Sequence, residues 1–167
     1  MLPLFLKVST LYPQYEFVLA GAPGINIKWY QKFLKGQNIK IVQYKAHDLL
    51  LHAKAALVSS GTATLETALF NVPQVVCYRS SFFTYQIAKR LVKLNFISLV
   101  NLILNREVVK ELIQEAFNEK EVRQQLEYIL SDDGQKKMKR DYQELRIALG
   151  GEGASEKTAK LIIDAIQ

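Results

Sequence analysis

The residues best placed to do chemistry lie at positions 59–66, within the sequence SSGTATLE. A small-residue turn at Ser60 and Gly61 precedes a predicted helix that begins at Thr62, and glycine allows a ligand to come close to the backbone. The first N–H groups of a helix have no partner within it, so such a turn can hold an anion. Glu66 follows one turn later with a carboxylate that can accept hydrogen bonds from hydroxyls. The pattern fits the phosphate and ribose of a nucleotide, and it fits an ordinary strand-to-helix connection equally well.

Other positions also carry residues that could contact a ligand. The turn at residues 21–24 follows a predicted strand, and ligands of open parallel sheets bind at the carboxyl ends of strands. Arg79 ends another predicted strand and could hold a phosphate by a two-pronged contact. Asn101 and Asn105 carry amides that could read a base edge or a sugar hydroxyl. Each of these residues also has a purely structural interpretation, as part of a connection, a surface turn or a loop.

The sequence gives no support for several common kinds of site. His47 and His52 are five residues apart, a spacing that does not bring both to one helix face for a metal. Cys77 is the single cysteine, which fits a reducing cytosol and an inert place in an apolar strand. No serine stands in a nucleophile-elbow pattern. No Cys/His ligand cluster exists, so we expect no metal, and we expect no cofactor. No convincing general base is present, so we expect no catalytic residue in this chain.

Strands and helices alternate from the start of the chain to Tyr78. The predicted strands are at 16–20, 39–43, 55–58 and 74–78, and the predicted helices are at 4–11, 26–34, 47–54 and 62–70. Apolar strands that alternate with helices indicate a parallel sheet covered on both faces. With right-handed crossovers, the fold class is α/β and Rossmann-like.

The remainder of the chain is predicted to be rich in helix. We expect a helix at 82–93, a last strand at 96–100 and a loop holding Asn101 and Asn105, then helices at 106–117, 121–130, 135–149 and 156–166. Gly150, Gly151 and Gly153 form the most flexible joint. The predicted organisation is therefore a domain at residues 1–150, followed by a hinge and terminal helix at 151–167.

Composition limits the class of protein. A chain of 167 residues with 49% hydrophobic and 23% charged residues can form one domain with its own core. The formal charge of +6 favours anionic partners, although basic helix faces at 89–93 and 136–140 could simply be solvated. No apolar run is long enough to span a bilayer, so we expect at most a peripheral association with a membrane. The uncapped apolar start suggests a piece of a longer chain.

The sequence resembles the carboxyl-terminal half of the lipid-A-disaccharide synthases, the LpxB family of bacterial glycosyltransferases. The resemblance is carried by SSGTATLETALFNVPQVVCYR, AKRLVK, SLVN and NRE in this order, with FVLAGAP near the start. It covers essentially the whole chain. Two places depart from the family pattern: Val100 stands where proline is usual, and Ser80 and Ser81 replace the usual Lys-Pro.

The resemblance implies one half of a GT-B glycosyltransferase, in which two Rossmann-like domains face each other across a cleft. The carboxyl-terminal domain would bind the donor, UDP-2,3-diacylglucosamine. The amino-terminal domain would bind the acceptor, 2,3-diacylglucosamine 1-phosphate (lipid X), and carry the catalytic base. The reaction inverts the anomeric centre without a metal and releases UDP. The resemblance also implies a place on the cytoplasmic face of the inner membrane, no nucleic acid partner, and a homodimer formed by exchange of carboxyl-terminal segments.

The same resemblance assigns roles to individual residues. Ser60, Gly61 and Thr62 would form the diphosphate-binding turn, and Glu66 would hold the ribose. The full set of expected substrate-binding residues is Gly21, Ala22, Pro23, Ser60, Gly61, Thr62, Glu66, Arg79, Asn101 and Arg106. Two alternatives stay open: the donor domain of another GT-B enzyme that uses a UDP-sugar, of the MurG or epimerase kind, and a non-catalytic basic α/β interaction module.

Overall fold

The computed structural model describes residues 1–34, 36–80, 95–151 and 153–166, which form an α/β fold. The helices are α1 (Leu2–Ser9), α2 (Ile27–Gln31), α3 (Ala46–His52), α4 (Thr62–Leu69), α5 (Leu99–Leu104), α6 (Glu119–Leu130), α7 (Asp132–Ala148) and α8 (Ala154–Ile166). The strands are β1 (Val18–Gly21), β2 (Lys40–Gln43), β3 (Ala56–Ser59), β4 (Gln74–Tyr78) and β5 (Lys110–Ile113), and a 3-10 turn spans Gln114–Ala116. The predicted helix at 82–93, with its basic residues, lies outside the described residues.

The described strands form two parallel sheets. One pairs β1 with β2, and the other has the order β3-β4-β5 with β4 in the middle. Four consecutive residues of β4, from Gln74 to Cys77, are fully buried, which requires cover on both faces of the strand. The predicted Rossmann-like α/β class is therefore confirmed.

The core lies around β4 and the helices that pack against it. Its largest fully buried side chains include Tyr142 of α7, Phe117, Leu112 of β5 and Ile129 of α6. The amide of Gln74 is also buried and donates to the carbonyl oxygen of Thr64 at 2.8 Å. Burial raises the pKa of the Cys77 thiol to about 12, which keeps it neutral and unreactive, as the sequence predicted.

The predicted strand at 96–100 is wrong, because the chain forms helix α5 from Leu99 to Leu104. The side chain of Ser98 accepts a hydrogen bond from the backbone N–H of Asn101 and so caps the helix. The run that follows, LVNLIL, is apolar except for Asn101, and the spacing of its apolar residues cannot separate a buried strand from a buried helix. Asn101 consequently lies within a helix, and Asn105 ends it in the left-handed conformation, with φ 49°.

The predicted helix at 106–117 is also wrong. Residues Lys110–Ile113 form β5, which pairs with β4 so that Lys110 lies opposite Val75 and Leu112 opposite Cys77. Lysine and glutamate are good helix formers, but intrinsic propensity is a weak preference, and the open edge of β4 offers backbone partners that outweigh it.

A buried amide holds α5 and β5 together. The Nδ2 group of Asn101 donates to the carbonyl oxygen of Val109 and to Oε1 of Glu111, each at 2.8 Å. Its Oδ1 accepts from the backbone N–H groups of Val108 at 2.8 Å and Val109 at 2.9 Å. The carboxylate of Glu111 also accepts from the N–H groups of Ile97 and Ser98, each at 2.9 Å. The amide of Asn101 is thus fully used inside the protein.

A second polar cluster ties α7 to the end of α5. Asp141 is buried, and its carboxylate accepts hydrogen bonds from Arg106 at 3.2 Å and Lys137 at 3.0 Å. Burial opposes ionisation of this carboxyl, but the hydrogen bonds from Lys137 and Arg106 outweigh it and lower its pKa below the usual value. Arg106 also contacts Glu144 at 2.6 Å.

None of the helices in the described ranges combines the length and the apolar character that a bilayer crossing requires.

We predict that Asn101→Ala lowers the free energy of unfolding by about 3 kcal/mol, because it leaves buried backbone groups of Val108 and Val109 without their side-chain partner and removes one of the hydrogen bonds to Glu111. Denaturant unfolding would measure the change. The control is Asn38→Ala, at an exposed asparagine, which should change stability by less than about 0.5 kcal/mol. Equal effects of the two substitutions would contradict the structural role of Asn101.

We predict a second effect, which depends on pH. Because the pKa of Asp141 is lower in the folded state, its ionised form stabilises the fold above the ordinary carboxyl pKa of 3.8, and this contribution is lost as the pH falls through the lower folded value. Asp141→Asn should therefore lower stability by about 2 kcal/mol at pH 7, and the deficit should shrink below about pH 4. Thermal unfolding across this pH range, with the exposed Asp164→Asn as control, would measure it. A deficit that stays constant with pH would refute the assignment.

Candidate functional site

The turn between β3 and α4 is open at the point where a ligand would approach. Gly61 is the N-cap residue of α4, and among the described residues no side chain caps the helix. Its backbone φ of 151° disfavours residues with a side chain, and a Cβ placed there would meet no atom of the described residues within 4 Å. In the described part of the chain, the space above Gly61 and the first N–H groups of α4 is thus open to an anion.

Ser60 fixes this turn to two neighbouring parts of the protein. Its backbone N–H donates to the carbonyl oxygen of Cys77 at 3.2 Å, and its hydroxyl donates to the carbonyl oxygen of Ile97, also at 3.2 Å. Ile97 is in turn held by Glu111. The turn is therefore braced by β4 and by the segment that leads into α5.

Glu66 lies in the second turn of α4, with its side chain 44% exposed. Stabilisation of a carboxylate by a helix N-terminus falls off within the first turn, so it gives only a weak reason for an acidic residue at this position. Its Oε2 lies 3.4 Å from Nε2 of His47, whose ring stacks on Phe70 with the centroids 5.1 Å apart. The carboxylate is oriented by a histidine and remains accessible to a ligand.

A cavity of about 360 Å³ opens at the carboxyl ends of β1 and β2. It is lined by Ala20, Gly21, Pro23, Val42, Tyr44, Lys45, Ala46, His47 and Asp48. Two of the residues expected from the sequence, Gly21 and Pro23, therefore face the same cavity. Its volume suits a small polar ligand.

Side chains on three sides brace the loop that borders this cavity. The N–H of Ala22 donates to the hydroxyl of Tyr30 at 2.8 Å, and the amide of Gln43 donates to the carbonyl oxygen of Ala22 at 3.0 Å. The hydroxyl of Tyr44 donates to the carbonyl oxygen of Pro23 at 2.8 Å. Gly21 is needed for close packing, since a Cβ there would lie 2.9 Å from Cγ of Gln43. The loop is a built feature of the fold.

His47 joins the two parts of the candidate site, because it lines the cavity and also contacts Glu66. Sequence reasoning considered this histidine only as a metal ligand and missed the connection. The sequence gives only a weak indication of this contact. His47 follows β2 and Glu66 lies in α4, and their proximity becomes visible only once the fold brings these segments together.

Three of the expected residues, Arg79, Asn101 and Arg106, make internal contacts. The guanidinium of Arg79 donates to the carbonyl oxygens of Gln114 at 3.4 Å and Phe117 at 3.0 Å, and it lies over the ring of Phe117. Asn101 is completely buried, and Arg106 is held by two carboxylates of α7. The amide of Asn101 is fully used inside the protein, whereas, among the described residues, each arginine makes its side-chain hydrogen bonds through Nη2 alone. Arg79 is exposed and Arg106 is partly exposed, so their direct contact with a ligand stays a prediction.

The arrangement is suited to binding. It offers backbone N–H groups to an anion, a carboxylate to hydroxyl groups and a cavity beside both. No group of three or more histidine, cysteine, aspartate or glutamate side chains is placed to hold a metal ion in the described part of the chain.

Comparison with known proteins connects this site to a family. The family model described as lipid-A-disaccharide synthetase matches residues 7–165. The chain is 45% identical to the lipid-A-disaccharide synthase of Synechocystis sp. over 115 residues. This aligned stretch covers 67% of this chain and 29% of that protein. The synthase of Syntrophus aciditrophicus is 31% identical over the whole chain, which spans 46% of that protein. The synthase of Persephonella marina is 35% identical over 97% of the chain and 46% of its own length.

These curated relatives are longer proteins, of which the chain spans between 29% and 46%. The match to the family model extends over nearly all of the chain and includes every residue of the candidate site. The chain therefore belongs to the lipid-A-disaccharide synthetase family.

Proposed function

We propose that this chain is the donor-binding domain of a lipid-A-disaccharide synthase, a glycosyltransferase of lipid A biosynthesis. The ligand is UDP-2,3-diacylglucosamine, with its diphosphate at residues 60–62 and its ribose on Glu66. The observation that carries the proposal is the uncapped, open start of α4 with an accessible carboxylate one turn further on. Phosphate and ribose are the parts of a nucleotide that such a pair recognises.

The cavity beside His47 completes the proposed donor site. It lies at the carboxyl ends of β1 and β2, where open α/β sheets bind their ligands. Gly21, Ala22 and Pro23 supply its border, and His47 orients Glu66. Asn101 acts indirectly, by holding the surrounding segments in place, whereas the exposed Arg79 and the partly exposed Arg106 remain proposed substrate-binding residues.

The chemistry of transfer requires groups that this site does not offer. In the proposed GT-B arrangement, a second domain binds lipid X and carries the base that activates its hydroxyl, at the cytoplasmic face of the inner membrane. The donor-binding domain by itself should bind UDP weakly and transfer no sugar.

The terminal helix supports a further part of the proposal. α8 follows the glycines at 150, 151 and 153 and exposes large apolar side chains, with Leu161 at 68%, Ile162 at 58% and Ile166 at 80%. Such a face is stabilised when another domain or subunit covers it. We propose that residues 151–167 cross to a neighbouring domain or exchange between the subunits of a homodimer.

We predict that Glu66→Ala weakens the binding of UDP by about tenfold, because the ribose loses its hydrogen-bond acceptor. Titration calorimetry with UDP and with UDP-GlcNAc would measure both affinities. Glu156→Ala, which removes the same charge from the exposed surface of α8, should leave them unchanged. Equal binding by wild type and Glu66→Ala would refute the ribose assignment. No rise in melting temperature with UDP in either protein would favour a non-catalytic interaction module.

We predict a smaller effect at His47. His47→Ala should weaken UDP binding by about threefold to fivefold, because Glu66 loses the contact that orients it and the cavity loses one wall. His52→Ala removes an exposed histidine of the same helix and should have no effect. Wild-type affinity in His47→Ala would show that the cavity and Glu66 act separately.

A further inference from the structure

Trp29 of helix α2 and Phe33, two residues past the end of the helix, form an exposed aromatic pair. The ring centroids of Trp29 and Phe33 are 4.7 Å apart, and these two residues remain 45% and 39% exposed. Tyr30 and Leu34, one residue further along in each case, are buried and hold the segment to the protein. The exposed aromatic pair is therefore held in position by a buried pair with the same spacing.

Two more large apolar side chains are exposed close to this pair in the sequence. Ile25 is 38% and Ile27 is 39% exposed, so four such residues lie within nine positions of the chain. Single exposed apolar residues are common on protein surfaces, but a concentration of this kind marks an interaction surface. We call residues 25–33 the α2 surface.

The segment of the chain that carries the α2 surface has charges of one sign, with Glu16 and Asp48 at its two borders. Residues 17–47 contain five lysines and no aspartate or glutamate, and therefore carry +5 of the chain's formal charge of +6. Lys40 is paired with Glu16, whereas Lys28 and Lys32 lie exposed on the α2 surface itself and form no ion pair with any described residue. A partner that meets this surface must accept both apolar side chains and positive charge.

We propose that the α2 surface binds the surface of an anionic phospholipid bilayer. Tryptophan is favoured at the boundary between headgroups and acyl chains, and lysine keeps its ammonium group among the phosphates while its stem lies along apolar groups. Trp29 and Phe33 enter this boundary, and Lys28 and Lys32 contact anionic headgroups. The proposal deepens the membrane location proposed above, but it requires no bound nucleotide, so the two proposals can fail separately.

The sequence provides its own probe of this contact, because Trp29 is the single tryptophan. Anionic vesicles of phosphatidylglycerol and phosphatidylcholine should shift the emission of Trp29 to shorter wavelength, and brominated acyl chains should quench it. Vesicles of phosphatidylcholine alone should cause little change. Added salt should weaken the binding, because it screens the lysines. UDP binding measured in the same sample would test the proposed function independently.

Variants can divide the contact into its two parts. The double variant Lys28→Gln with Lys32→Gln should reduce vesicle partitioning by about fivefold for each lysine removed. Phe33→Ser should reduce it by about tenfold and retains Trp29 as the fluorescent probe. The matched controls are Lys136→Gln with Lys139→Gln, which remove the same charge from α7, and Ile147→Ser, which removes an exposed apolar residue there. These controls should partition as the wild type does.

Several outcomes would overturn the proposal. An emission wavelength of Trp29 that does not change with anionic vesicles would do so. Equal losses of vesicle partitioning in the α2 and α7 lysine variants would also do so, because they would show a general effect of charge. Self-association that depends on Phe33 and occurs without vesicle binding would assign the α2 surface to a second copy of the chain.

Discussion

The fold around the candidate site depends on the buried amide of Asn101. Its four hydrogen bonds connect the first turn of α5 to the backbone at Val108 and Val109 and to the carboxylate of Glu111. β5 is thereby held where it pairs with β4. A buried polar group without a partner is costly, so this network strongly favours one arrangement of the segments it joins.

The network reaches the proposed phosphate turn through a short chain of contacts. Glu111 holds the backbone of Ile97, and the carbonyl oxygen of Ile97 accepts a hydrogen bond from Ser60. Asn101 is thus connected to the turn through Glu111 and Ile97 and makes no direct contact with it among the hydrogen bonds of the described residues. The two polar regions of the site, the open start of α4 and the cavity beside β1 and β2, are then linked by His47. The exposed aromatic pair, Trp29 and Phe33, lies on the segment that follows the loop bordering this cavity, so the proposed ligand site and the proposed membrane contact use neighbouring parts of the chain.

Much of the fold could be predicted from the sequence, because local pattern and tertiary environment agree. Both ends of the strand at 74–78 were predicted correctly. The elements before it in the chain were also placed correctly, with small shifts at their ends. The region from 96 to 117 could not be predicted in this way. Its apolar run at 99–104 suits a buried strand or a buried helix, and KELI at 110–113 has residues that favour a helix. There the outcome depended on Ser98 as a cap and on the unpaired edge of β4.

The sequence by itself determined the local features of the candidate site. These are the small turn at Ser60 and Gly61, the start of α4 and the position of the Glu66 carboxylate in that helix. These features depend on contacts over a few residues, so their types and spacing suffice. Only the tertiary structure decided that His47 contacts Glu66, and that Arg79, Asn101 and Arg106 are engaged internally. Those contacts join residues distant in the chain, and whether a polar side chain meets ligand or protein depends on which segments pack around it.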